Sequence, residues 1–236
     1  MPLWFLRFYP VLILLAVVGL IFYFLPSVDV GHDKKYLRRR LANWLPLGLT
    51  YAFLYMGRYN LKISKYAFGE MASGDGSPLM GNSDFGYIFM AGTIVYGVSF
   101  LINGPLTDRL GGRFSILTGA MGALIMNAIM GLASLSLLHQ GPLHQMLAAH
   151  FVLIFSVLYA MNMYFQSFGA VAIVKVNAPW FHVRERGVFG AIFGILISLG
   201  IYFAFDVGGM VLDFMGLEWV FFMPAILLGV FWVIDF

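Results

Sequence analysis

Any chemistry in this chain must turn on Arg58, the one charged side chain between residues 45 and 60, a stretch that otherwise reads as membrane-spanning. Its guanidinium stays protonated at any physiological pH. At the centre of a membrane helix that charge costs about 2.5–3.5 kcal/mol on insertion scales, so such a residue normally faces a bundle interior or a watery cavity, where it can hold an anion. At 3.6 residues per turn, Lys62 and Lys65 continue its face toward one end, and Tyr51 and Tyr55 extend it inward. Such a stripe suits an oxyanion: arginine grips two oxygens at once, phenols donate single hydrogen bonds, and lysine adds a point charge. The competing roles are ordinary ones. Arg58 can snorkel to the outer interface or pair with a carboxylate on a neighbouring helix, and Lys62 and Lys65 can anchor the helix at the headgroups.

A second constellation is Gly104-Pro105-Leu106-Thr107-Asp108-Arg109-Leu110-Gly111-Gly112-Arg113. Gly104 permits close helix approach, Gly111 and Gly112 permit a tight turn, and Asp108 with Arg109 and Arg113 can make charge-assisted contacts that hold one conformation. The alternative is a loop whose charges only set topology. Asn103, Asn127, Asn162 and Gln166 are the other polar residues in apolar stretches; interhelical hydrogen bonds are their default role, with Gln166 the best pore candidate. Gly119, Gly122, Gly190, Gly194 and Gly200 recur as expected where helices approach closely.

The elements that position these residues follow from composition. Of 236 residues, 61% are hydrophobic, 17% aromatic and 11% charged, which describes an integral membrane protein. Polar and Gly/Pro-rich interruptions leave seven apolar segments of about the length needed to cross a bilayer, at 4–25, 43–63, 85–104, 114–138, 146–174, 188–205 and 219–236. In lipid these must be helices, so the fold class is all-α with about seven transmembrane helices. Segment 4–25 reads as a retained helix rather than a signal peptide, because it lacks a small-x-small cleavage site and is long for an h-region. Residues 28–42 read as a basic cytoplasmic linker.

Orientation follows from charge. Lys34, Lys35, Arg38, Arg39, Arg40, Arg109, Arg113, Lys175, Arg184 and Arg186 fall on one side, against Arg7, Lys62 and Lys65 on the other. The first side is expected to be cytoplasmic, with the N-terminus outside and the chain end near Asp235 inside. No cysteine is present, the five histidines lack metal-ligand spacing, and no nucleophile stands beside a base, so neither metal, cofactor nor enzyme chemistry is expected. A net charge of +3 is too small to suggest nucleic acid; the expected partners are a small anion and the bilayer.

The Gly104–Arg113 string resembles the G-x-x-x-D-R-x-G-R-R signature that major facilitator superfamily transporters carry between their second and third helices, although Gly112 stands where an arginine is usual. Tyr55-Met56-Gly57-Arg58-Tyr59-Asn60, Phe165-Gln166-Ser167-Phe168-Gly169 and Trp180-Phe181-His182-Val183-Arg184-Glu185-Arg186-Gly187 are similar to strings of the organophosphate:inorganic phosphate antiporters, the group of the glycerol-3-phosphate and hexose-6-phosphate transporters. The resemblance implies a six-helix N-terminal half over 43–236, preceded by an additional helix at 1–27. It places a phosphate ligand on Arg58 and a pore role on Gln166, beside the Tyr51, Tyr55 and Lys62 that helical spacing sets on the Arg58 face, and a cytoplasmic latch on Gly104, Asp108, Arg109 and Arg113. It also implies a bacterial inner-membrane location, with exchange of an organic phosphate for inorganic phosphate by alternating access. Two positions depart from the family: Phe100 stands where a lysine is expected and Ile197 where a histidine is expected. A non-transporting membrane sensor, or an inactive half, is therefore the second reading. A second six-helix half is expected from the family; a truncated or split reading frame, or another copy of the chain, are the ways to account for it.

Overall fold

Helix α1, Lys34–Glu70, begins inside the stretch expected to be a linker. Asp33 caps it, its carboxylate accepting from Tyr36 N–H at 2.7 Å. The basic cluster Lys34–Arg40 therefore forms two turns of a 37-residue helix instead of a flexible connection. The computed structural model describes residues 12, 13, 16, 17, 19, 20, 23, 30–72 and 76–236. The helix predicted at 4–25 lies for the most part outside the described residues, as does Arg7.

After α1 come α2 (Asn82–Leu110), α3 (Gly112–Leu138), short α4 (His144–Ala149), α5 (Phe151–Asn177), α6 (Arg186–Tyr202), α7 (Gly208–Met215) and α8 (Leu217–Asp235). The segment predicted at 146–174 is broken at His150 between α4 and α5. The one predicted at 188–205 runs further, through a π-helical turn at Phe203–Val207 into α7. Gly111 joins α2 to α3 at φ +91° and Gly216 joins α7 to α8 at φ +110°, a backbone region that favours glycine. Among the described residues, five helical stretches are long and apolar enough to cross a membrane: Asn82–Leu110, Gly112–Leu138, Phe151–Trp180, Val183–Met215 and Leu217–Asp235. Helix α1 is the longest element, but Arg58, Lys62, Lys65 and the basic first turns dilute its apolarity. With it the described residues form an all-α bundle, as the sequence predicts.

Small residues let α1 sit close to its neighbours. A methyl group added at Gly200 of α6 would meet the Ala52 carbonyl of α1 at 2.7 Å, and one at Gly169 of α5 would meet Leu54 at 2.8 Å. Gly119 packs in the same way against the Phe165 carbonyl of α5 (2.9 Å), and Gly122 against the Phe165 ring. Gly190 and Gly194 face open space, so close approach holds for only part of the expected set.

Two apolar layers form the core. One is built from Leu61, Phe68, Met130, Phe155, Tyr159 and Phe221, the other from Leu47, Leu54, Ile116, Ala123, Phe193 and Leu228. Along both α1 and α3 the two sets are separated by polar residues, Arg58 and Asn60 on the first and Asn127 on the second. The site is thus a polar layer held between two hydrophobic ones.

Candidate functional site: a buried arginine between two tyrosines

Arg58 is 9% exposed. Its Nε donates to Gln166 Oε1 of α5 at 3.0 Å. The guanidinium carbon lies 4.6 Å from the centre of the Tyr55 ring and 4.4 Å from that of Tyr96 on α2, so two π-faces sandwich the charge. No carboxylate comes within 4 Å of it among the described residues, and its Nη2 is buried without a hydrogen-bond partner. The competing fates of snorkelling or pairing with a carboxylate are therefore not what the structure shows. A buried, unpartnered donor on a cation is costly, and an anion would relieve it.

Behind Arg58 runs a ladder of amides. Gln166 Nε2 donates to Asn162 Oδ1 at 3.1 Å, and Asn127 Nδ2 of α3 donates to the same oxygen at 3.2 Å. Asn162 Nδ2 donates to the Gly57 carbonyl at 3.0 Å, Tyr159 Oη to the Arg58 carbonyl at 3.0 Å, and Asn60 Nδ2 to Asn127 Oδ1 at 2.5 Å. Asn162 is the hub that ties α1, α3 and α5 together. Each interhelical bond of this kind contributes about 0.6 kcal/mol in a membrane protein, so the ladder matters more for fixing Gln166, and through it Arg58, than for overall stability.

The other sequence candidates separate. Tyr55 is half-buried and contacts Arg58 directly; Tyr51 is buried behind it, its ring 5.3 Å away and edge-on. Gln166 is fully buried and faces Arg58, which makes it a positioning residue here instead of a wall of open space. Lys62 lies one turn away with its Nζ 5.0 Å from the centres of the Tyr59 and Phe89 rings, and Lys65 donates to Asn82 Oδ1 at 2.7 Å. Tyr96 was missed by sequence reasoning. It stands one turn before Phe100, the position noted for its missing lysine, and the two rings are 6.2 Å apart, so an aromatic at that spacing was the available signal.

At the basic end the residues expected to form a latch are placed otherwise in three respects. Asp108 pairs with Lys175 of α5 at 2.8 Å, not with Arg109 or Arg113, and Lys175 also donates to the Thr107 carbonyl at 3.1 Å. Arg109 is exposed, and Arg113 lies with its guanidinium 5.8 Å from the centre of the Phe236 ring. Gly104 has open space where a side chain would be, so it does not permit close approach; Gly112 does, with Val176 and the Ala172 carbonyl against it. The register of α2 against α5 sets Lys175 beside Asp108. A further contact joins the Trp180–Glu185 segment to α1. Glu185, 5% exposed, accepts from Arg40 Nη1 at 2.8 Å and from His182 N–H at 2.9 Å, while Tyr36 Oη donates to the Trp180 carbonyl at 3.0 Å.

Comparison with known proteins gives a consistent picture. A family model described as Major Facilitator Superfamily matches residues 47–235. The chain is 24% identical over 172 residues to the membrane sensor protein UhpC of Salmonella typhimurium, covering 73% of this chain and 34% of that protein. It is 24% identical over 174 residues to the Escherichia coli protein of the same name, covering 73% and 34%. It is 25% identical over 207 residues to the glycerol-3-phosphate transporter of Bacillus subtilis, covering 84% and 41%. The chain thus spans well under half the length of these curated relatives. No solved structure gives a significant match.

Proposed function

Because this chain belongs to the major facilitator superfamily, we propose that it acts as one six-helix half of a secondary transporter for an organic phosphate, exchanged for inorganic phosphate by alternating access. The observation that carries this reading is the unpartnered Nη2 of Arg58, buried between Tyr55 and Tyr96 with no carboxylate beside it. An oxyanion seated there accepts from Nη2, and the tyrosine rings exclude water from the charge and strengthen the contact. Lys62, one turn along α1, adds positive potential on the approach. A second six-helix unit, or another copy of the chain, supplies the facing wall, since transporters of this architecture bind substrate between their halves. Asp108 and Lys175 act as the reversible pair at the cytoplasmic end, with the chain's Asp235 end on the cytoplasmic side of a bacterial inner membrane.

The similarity to proteins named as membrane sensors favours one alternative, binding of the same anion without transport. Phosphate counterflow in proteoliposomes separates the two. Exchange that disappears in both Arg58→Ala and Arg58→Lys supports transport through this site; undiminished exchange in both removes Arg58 as ligand. Phosphate binding that depends on Arg58, with no counterflow in the native protein, supports the sensor.

A further inference from the structure

We propose that the groove between α3, α5 and α8 is a binding site for an anionic phospholipid, with Arg113 holding the headgroup phosphate and the groove holding an acyl chain. Its volume is about 390 Å³, and its walls include Leu117, Met121, Ile125, Phe165, Trp232 and Phe236. The walls are almost wholly apolar, and the polar edge of Trp232 is already satisfied, its Nε1 donating to the Leu117 carbonyl at 3.0 Å. Gly122 deepens the groove, because any side chain there would strike the Phe165 ring that forms its floor.

Charge complementarity selects the occupant. Arg113 lines the adjoining cavity with Asn43 and Asp235, and its guanidinium lies 5.8 Å from the centre of the Phe236 ring, which closes that end of the groove. Arg113 is exposed, and no carboxylate lies within 4 Å of it among the described residues, because Asp108 is taken by Lys175 and Asp235 accepts from Thr50 at 2.6 Å. An apolar trough with a guanidinium beside its end that no carboxylate pairs matches a phosphate attached to an acyl chain. It does not match a free phosphate ester, which has nothing to place in the trough. The groove shares no lining residue with the Arg58 site, which lies between α1, α2 and α5, so the inference stands independently of the transport reading.

Native mass spectrometry of the purified chain, titrated with phosphatidylglycerol or phosphatidylcholine of identical acyl chains, tests this. Phosphatidylglycerol is expected to bind about fivefold more tightly, the contribution of one arginine near the surface. Arg113→Gln is expected to abolish the preference and Arg113→Lys to retain most of it, while Met121→Trp, which fills the groove, lowers retention of both lipids. Arg113 is exposed, so its replacement leaves folding intact. Equal retention of the two lipids by the native chain, an unchanged preference in Arg113→Gln, or a Met121→Trp variant that loses only self-association would each overturn the proposal.

Discussion

Gln166→Glu puts a carboxylate where an amide oxygen now accepts from Arg58 Nε at 3.0 Å. Opposite unit charges about 4 Å apart interact by about 4 kcal/mol at an effective dielectric near 20. Burial of the new carboxylate, and its loss of the donor that now serves Asn162 Oδ1, offset part of that. A residual of about 2–3 kcal/mol favours the internal ion pair, so an external anion at Arg58 must compete with it, and phosphate affinity should fall about 30- to 150-fold. Gln166→Leu is the counterpart. It leaves the positive charge uncompensated but strips Nε of its acceptor and Asn162 Oδ1 of one of its two donors, costing about 2–3 kcal/mol of stability with less than a tenfold loss of affinity. Equilibrium dialysis of labelled phosphate against the detergent-purified protein, with thermal unfolding followed by tryptophan fluorescence, reads both quantities. The reasoning requires the two variants to cross, the glutamate weaker in binding and the leucine weaker in stability. Native-like phosphate affinity in Gln166→Glu, or losses that track stability in both variants, would refute it.

The Arg40–Glu185 and Lys175–Asp108 ion pairs are expected to differ sharply. Arg40→Ala takes the fixed cation from the buried Glu185 carboxylate, leaving it the His182 N–H at 2.9 Å and the His32 Nε2 at 3.5 Å, and should cost about 3 kcal/mol in thermal unfolding, whereas Asp108→Asn, at a carboxylate that is 74% exposed, should cost less than about 1 kcal/mol. Gly119→Ala drives a methyl group toward the Phe165 carbonyl and should destabilise by about 1–3 kcal/mol, while Gly104→Ala enters open space and should be neutral or stabilising by up to about 1 kcal/mol. Comparing the unfolding temperatures of the two glycine variants checks which one lies at a close helix contact.

By itself the sequence determined the solvent, the helical class, the approximate spans and the identity of the central charge, because each is a local property. An unbroken apolar run must satisfy its own backbone, and an arginine within one carries its charge wherever the helix goes. The family strings around Arg58 and Gly104 were equally legible, since a motif is a local pattern. Tertiary structure alone decided the partners. That Gln166, 108 residues away, accepts from Arg58, that Tyr96 forms the second wall of the sandwich, and that Lys175 takes Asp108 from the arginines nearer in sequence all depend on the register of α5 and α2 against α1. Register is set by the fit of small residues such as Gly169 and Gly200 against α1 and of Gly119 and Gly122 against α5. That fit is a property of two surfaces meeting, which neither helix carries in its own sequence.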